Sequence, residues 1–429
     1  MRRPLRRWLA RIRRLPLSDG NWAYSRTAQQ DDPVQGWKLH LSATILSASD
    51  VFARAEPILR DNNALFKLPC RLDLLKSLNS GLPDFSQIGK FLTIYPRSTE
   101  EALKLARDLH RVTRGLPGPH VPFDTRYRKS SLVYYRYGAF HPSPDGEPGL
   151  IRAPGGRRYR DKRAPGHAVP PWQKDPFQKS RARNSIWRGL ISRNLLVFNT
   201  KTQRGKGGVY EAIDLSVSPV RRVIIKEGRR HGETNWDGRD GYSLVNHEAR
   251  VLRKLRKAGL PVPEVFREFT KNGNRYLVLE QIIGQPLIPA KRLHPPRTSY
   301  RRAEMILKLL GPLLSKMHAA GWIWRDCKPS HIFIHEGKVR LIDFEGVCGI
   351  NQTELLPWGS LDYIPPPYRS QFSRRVGALE DDYALGVIAF QFLSGKFPPN
   401  SSARRASIYK ATRCPDSLRK RIEDLLQLQ

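Results

Sequence analysis

Two carboxylates and an imidazole, Asp326, Asp343 and His331, stand close together in the C-terminal half of the chain, around the short apolar runs Ile332–Ile334 and Val339–Asp343. A turn containing Gly337 separates the runs, so they read as a β-hairpin. Folding it brings His331 and Asp343 to one open end, with Asp326 on the loop that enters it. Such a set can hold a divalent cation and orient a hydroxyl for attack. Further upstream, Lys226 closes the strand-like run VIIK, and Glu248 falls on the apolar stripe Val245, Leu252 and Leu255 of a helix. A carboxylate facing a core costs several kcal/mol unless a cation meets it. Lys226 is the cation at hand. Ahead of both lies RGKGGVYE, a turn with Gly205, Gly207 and Gly208 that lets backbone N–H groups approach phosphates.

The N-terminal half offers cations instead. In Trp37–Leu41 the alternation puts Lys38 and His40 on one strand face and Leu39 and Leu41 on the other. Lys67 in FKL, Lys90 in GKFLTIYP and Arg136 in SLVYYRYGAF sit in further strand-like runs, with Arg126 just before the last. Clustered cations disfavour one another's charged forms and lower a lysine's pKa from its usual ~10.4.

These residues belong to regions of different composition. Residues 1–17 form a basic N-terminal tail in which Leu5, Trp8, Leu9 and Ile12 share a helical face among arginines. This predicts a solvated tail, with peripheral contact to an anionic membrane or acidic partner as the alternative. Residues 18–140 are mixed and globular, with an amphipathic helix around 101–112. Residues 141–190 are crowded with Pro, Gly and Arg and read as a linker or extended strap with little core of its own. Strand and helix signals return over 191–429. The fold class expected is α+β, a small domain followed by a bilobal one, with lobes at about 191–282 and 283–429.

The balance of 75 Lys and Arg against 39 Asp and Glu, a formal charge of +36, draws anions to the surface. Four scattered cysteines, Cys70, Cys327, Cys348 and Cys414, form no C-x-x-C pair. That argues against a zinc ribbon or a disulfide framework and favours a reducing compartment, the cytoplasm. No apolar run approaches the ~20 residues that span a bilayer.

The order G-x-G-G-x-Y-E, V-I-I-K, helix glutamate, R-D-x-K-P, D-F-E resembles the eukaryotic-type protein kinases over about 191–429. The resemblance implies ATP, or another nucleoside triphosphate, with Mg²⁺. Lys226 would bind the phosphates and Glu248 orient it. Glu280, closing the hinge-like YLVLE, and the glycines would complete the nucleotide site. Asp326 would position the acceptor hydroxyl, Lys328 neutralise the transferred group, and Asp343 with His331 hold the metal. The departures are Trp324 before R-D, His331 where the family has asparagine, Glu345 in D-F-E, and Pro365–Pro367 in place of A-P-E. An active kinase with an altered metal site is expected, with a pseudokinase as the alternative.

W-K-L-H, F-K, G-K-F-x-T-I-Y-P and Y-R-Y-G-A-F resemble the N-terminal lyase domain of class III and IV lanthipeptide synthetases. The P-G-G, D-K-R and P-W-Q-K-D-P-F runs look like their lyase–kinase linker. The resemblance implies Lys67 as base, His40 as acid, and Lys38, Lys90, Arg126 and Arg136 around the phosphate, without a metal. The chain stops at Gln429, near the end of a kinase C-lobe, so dehydration without cyclisation is expected. Any cyclase would be a separate partner. The expected substrate is a Ser/Thr-containing precursor peptide or protein, with no specific nucleic-acid binding. The alternatives are a kinase whose N-terminal domain only binds phosphopeptides, and a non-catalytic basic scaffold.

Overall fold

The computed structural model describes residues 2–140, 149–161, 169–178, 190–192, 194–353, 356–369 and 377–427. Residues 142–148 of the PSPDGEPG run and the Lys162–Arg163 pair lie outside them. No helix among the described residues is long and apolar enough to cross a membrane.

Alternating sequence becomes a seven-stranded antiparallel sheet in the N-terminal half. Its strands are β1 (Leu17–Ser18), β2 (Trp22–Tyr24), β3 (Gln35–Leu41), β4 (Leu65–Pro69), β5 (Leu92–Tyr95), β6 (Thr125–Arg126) and β7 (Val133–Ala139). The order β1-β2-β4-β5-β3-β7-β6 puts β3 near the middle. Leu39, Leu41, Phe66, Leu92 and Ile94 point to one face and are at most 3% exposed, packed in one core with Phe52 and Leu105. Those two residues come from helices α2 (Ala48–Asp61) and α4 (Thr99–Thr113). Because side chains alternate, the opposite face carries Lys38, His40, Lys67 and Thr93. A further helix, α3 (Leu72–Ser80), ends at Gly81, whose φ of +71° suits a glycine C-cap.

The expected solvated tail is instead the docked helix α1 (Arg2–Ile12). Trp8 is fully buried against the Phe52 and Phe91 rings, and its Nε1–H donates to the Cys70 carbonyl at 2.9 Å. One large aromatic with a hydrogen-bonding tip outweighs the solubility of the surrounding arginines. The helical face read from sequence splits, since Leu5 and Leu9 stay exposed.

The Pro/Gly-rich stretch borrows the core of the sheet. Phe177 stacks on Tyr135 with ring centroids 4.1 Å apart, and the Tyr135 hydroxyl donates to Asp175. Strands β8 (Leu150–Arg152) and β9 (Arg158–Arg160) form a hairpin beside it.

The second half opens with a six-stranded antiparallel sheet of order β10-β11-β12-β13-β15-β14. These are Leu190–Ser192, Leu195–Arg204, Gly207–Asp214, Arg221–Gly228, Asn274–Glu280 (β15) and Val265–Lys271 (β14). Helix α5 (Gly241–Lys257) packs on it, started by a capping box between Asp240 and Ser243. A mainly helical lobe follows, built on α6 (Tyr300–Ala319) and α7 (Leu379–Ser394) around Leu310, Ile388 and Phe390. The halves meet where Gly205 N–H donates to the Ser80 carbonyl at 2.8 Å. A Cβ at Gly205 would lie 1.7 Å from the Asn79 carbonyl oxygen, so only glycine fits that approach.

Candidate active sites

The hairpin expected at 332–341 forms, with Ile332 opposite Leu341 and His335 opposite Lys338. It delivers His331 and Asp343 to one end, Nε2 to Oδ2 at 3.5 Å. His331 Nδ1 lies 3.1 Å from the Asp326 carbonyl oxygen, which can only accept, so the ring proton sits on Nδ1. Burial lowers the His331 pKa, against the pull of Asp343 and Asp326, and keeps the ring neutral. Its Nε2 lone pair therefore faces an ionised carboxylate with no proton between them. Two facing acceptors call for a cation. The ligand atoms of Asp326, His331 and Asp343 all lie within 4.8 Å of one another, so the donor set fits a divalent ion. Its mixed nitrogen and oxygen character suits a borderline metal better than an all-oxygen site would.

Lys226 enters the same space from β13. Its ammonium donates to Glu248 at 2.8 Å and to Asp343 at 3.1 Å. Glu248 is 1% exposed and also accepts from the Phe344 N–H at 3.0 Å. The cation demanded by the carboxylate on the apolar stripe is thus present. Burial alone would lower the Lys226 pKa, but Asp343, Glu248 and Glu345 together raise it. Burial pushes Asp343 up, and the ammonium groups of Lys226 and Lys206 more than reverse that.

The loop around Asp326 is held from below by Asp381 of α7, which accepts from the Trp324 and Arg325 N–H groups, each at 2.8 Å. Trp324 Nε1–H donates to the Asp343 carbonyl at 2.9 Å, and its ring stacks on Phe344. The unusual residue before R-D is therefore a strut for the D-F-E turn. Arg325 and Asp343 both take positive φ, +70° and +68°, a conformation uncommon for non-glycine residues. Lys328 reaches Asp326 at 3.1 Å and Ser360 at 2.8 Å.

Two nucleotide-site expectations change. The Glu280 side chain turns to Arg340 at 2.6 Å and joins neither Lys226 nor the glycines, because that guanidinium neutralises it where it stands. Gly207 and Gly208 line a cavity with Lys226, while Gly205 is spent on the contact with Asn79. Sequence reasoning missed Lys206, which pairs with Glu345 across the cavity mouth. A lysine inside the glycine run and a glutamate in place of the D-F-G glycine were its only signals.

The second constellation lies on the open face of the first sheet. In register, Lys67 opposes Thr93, Thr93 opposes His40, His40 opposes Tyr134, and Tyr134 opposes Arg126. This row crosses five strands, with roughly 9–10 Å between the Lys67 and His40 backbones at normal strand spacing. Lys38 pairs with Arg136 one step along. The Lys67 ammonium lies 4.6 Å from the Trp22 ring centroid. Arg126 stands exposed at the rim and donates to the Tyr134 hydroxyl at 2.7 Å.

Asp124, absent from the sequence reading, organises the centre. Its carboxylate accepts His40 Nδ1–H and lies 3.2 Å from Lys90 Nζ. Burial pushes Asp124 up, but His40 and Lys90 hold it well below the carboxylate range. Burial, more than Asp124 can offset, brings His40 down to about 4. His40 therefore rests neutral with a lone pair on Nε2. Only the DTR segment before β6 hinted at Asp124. Arg136 does not stand alone on this face, since Asp161 from the linker holds one edge of its guanidinium.

Comparison with known proteins agrees with this division. Residues 13–185 match the family described as RamC, N-terminal domain, and residues 201–426 match the protein kinase domain. The chain is 30% identical to a probable SapB synthase of Streptomyces coelicolor over 86% of its own length and 40% of the relative's. It is 31% identical to serine/threonine-protein kinase F of Synechocystis over 45% of the chain and 42% of that kinase. For serine/threonine-protein kinase PknA of Mycobacterium tuberculosis the identity is 30%, over 45% of each. The chain thus spans less than half the length of these relatives.

Proposed function

The chain belongs to the protein kinase domain family, with a RamC-type N-terminal domain ahead of it, and on that premise we propose that it dehydrates a peptide in two steps. The first step phosphorylates Ser or Thr at the expense of ATP. The second eliminates the phosphate to leave dehydroalanine or dehydrobutyrine. The substrate is a precursor peptide of the lanthipeptide type, met in the cytoplasm.

In the kinase half, Asp326 accepts the hydroxyl proton as the acceptor oxygen attacks, and Lys328 neutralises the transferred group. Lys226, oriented by Glu248, holds the nucleotide phosphates. Asp343, His331 and Asp326 would hold a divalent ion, Mg²⁺ or Mn²⁺, which supplies charge neutralisation at the phosphates when bound. In the N-terminal half, Lys38, Lys90, Arg126 and Arg136 receive the phosphate dianion. Lys67 takes the Cα proton, that electron pair forms the Cα=Cβ bond, and the Cβ–O pair leaves with phosphate. His40 supplies a proton to the departing oxygen. Its low pKa is a property of the empty face, because a dianion beside Nε2 stabilises the imidazolium.

The observation that carries this reading is His40, held on Nδ1 by Asp124, in a row with Lys67 on a cationic face. A non-catalytic phosphopeptide reader has no need of an oriented imidazole. With ATP and a cognate peptide, mass spectrometry should find dehydrated product from the intact chain, phosphopeptide from Lys67→Ala and His40→Ala, and unmodified peptide from Asp343→Asn. Dehydrated peptide from Lys67→Ala would reduce the N-terminal half to a binding module.

A further inference from the structure

The hairpin β8–β9 ends on Asp161, whose N–H donates to the Gly149 carbonyl at 2.6 Å at the open end of the hairpin. Its carboxylate points back onto the sheet. There Oδ1 accepts from the Arg136 guanidinium and Oδ2 from the Ala139 N–H at 3.2 Å. The pair is largely buried, with the Asp161 and Arg136 side chains 7% and 10% exposed. Gly138 makes the approach possible. A Cβ there would lie 2.6 Å from Asp161 Oδ2 and 2.8 Å from the Arg136 guanidinium.

The hairpin is itself tied to the strand that carries Lys38 and His40. Gln35 at the start of β3 donates to the Arg152 carbonyl at 2.8 Å and accepts from the Arg152 N–H at 2.6 Å. Ile151, the residue before Arg152 in β8, is 5% exposed. Arg136 in turn stands opposite Lys38 on the same sheet. Its charge also reaches Asp124 and helps to keep that carboxylate ionised.

We propose that Asp161 is a positioning residue of the elimination site: it fixes the plane of the Arg136 guanidinium so that the remaining N–H donors meet the substrate phosphate. The inference rests on the elimination reading above. A guanidinium carries five donors in a rigid fork, and a carboxylate on one edge leaves the other edge to point. An unheld arginine also loses rotamer entropy when it orders on a ligand. The site is then incomplete without the hairpin of residues 149–161, so the unit able to bind a phosphopeptide reaches at least to Asp161.

The test reads binding in the full-length chain carrying Lys67→Ala, so that the ligand survives. The probe is a synthetic phosphoserine peptide, with its unphosphorylated twin as control. Asp161→Asn should raise the Kd of the phosphopeptide about tenfold without moving that of the twin, and Asp161→Glu should recover part of the loss. In an Arg136→Ala background, Asp161→Asn should add nothing further. An unchanged Kd in a chain of unchanged melting temperature would overturn the proposal and leave Asp161 a fold staple. A lowered Kd would also overturn it, since the carboxylate would then be competing with phosphate. If the chain with native Lys67 binds the phosphopeptide but never eliminates, the elimination reading fails while the Kd shifts still judge Asp161.

Discussion

Replacing Asp124 by Asn keeps the shape of the side chain and removes one charge where three groups meet. The carboxylate accepts His40 Nδ1–H, stands 3.2 Å from Lys90 and is fully buried. With His40 at about 4, roughly one molecule in a thousand holds the imidazolium at pH 7. Without Asp124 the carboxylate that offsets Lys90 and Lys38 at the ring is gone, so that fraction falls further. The new amide can also present its NH₂ to Nδ1, which moves the ring proton to Nε2. In a Ser-His-Asp site the same exchange costs about 10⁴ in kcat through the wrong tautomer. Elimination from a phosphopeptide should therefore slow by about 10³–10⁴, followed as phosphate release by the full-length chain. Leaving Lys90 buried beside a neutral amide adds a stability cost of about 3–5 kcal/mol, visible as a lower melting temperature. Phosphorylation of the unmodified peptide, measured below that temperature, should change less than twofold. A loss of elimination smaller than tenfold in a folded variant would refute this reasoning, because His40 would not need its carboxylate to move a proton.

Gly205→Ala should disturb both reactions at once. Its Cβ would meet a backbone oxygen, Asn79 O at 1.7 Å, and Asn79 also holds the Gly89 N–H next to Lys90. We expect a several-fold rise in the KM for ATP and a several-fold slower elimination. Gly207→Ala, whose Cβ would meet Glu227 O at 1.7 Å inside the kinase half, should affect phosphorylation alone. A Gly205→Ala defect confined to one reaction would sever the link. His331→Asn replaces a nitrogen donor by an oxygen one, so ATP turnover should shift from Mn²⁺ toward Mg²⁺. An unaltered metal preference would place the ion elsewhere.

What could be read from sequence was what local periodicity encodes. Period two on β3 put Lys38 and His40 on one face, and the apolar stripe of α5 exposed the anomaly of Glu248. The hairpin turn at Gly337 was enough to unite His331 with Asp343. Residues missed are those whose partners lie far along the chain. His40 and Asp124 are 84 residues apart, and Lys206 and Glu345 are 139 apart. Asp124 lies in a loop with no periodicity, so neither its burial nor its direction could be inferred. Glu280 fails for the same reason in reverse. Its strand was recognised, but its side chain is captured by Arg340, 60 residues on. Trp8 was hidden by its neighbours, since seven arginines in the first fourteen residues make the helix look solvated while one buried ring decides where it goes.

The distribution of acid within so basic a chain bears on how both sites meet phosphate. Lys226 is matched by Glu248 and Asp343, Lys206 by Glu345, Lys90 by Asp124 and Arg136 by Asp161. Unpaired cations in these places would repel one another and sample many rotamers. Paired, they are held in position before the substrate arrives, and oriented donors cost no reorganisation at the moment of reaction. Under the proposed function the consequence is selectivity by charge. A neutral peptide gains nothing by displacing a buried carboxylate, whereas a phosphate dianion brings more charge than the group it joins. At the seam, Asn79 touches both arrangements, with its carbonyl against Gly205 and its side chain on Gly89. A change at Gly205 is therefore expected to be felt at the turn that carries Lys90, which the paired Gly205→Ala and Gly207→Ala measurements check.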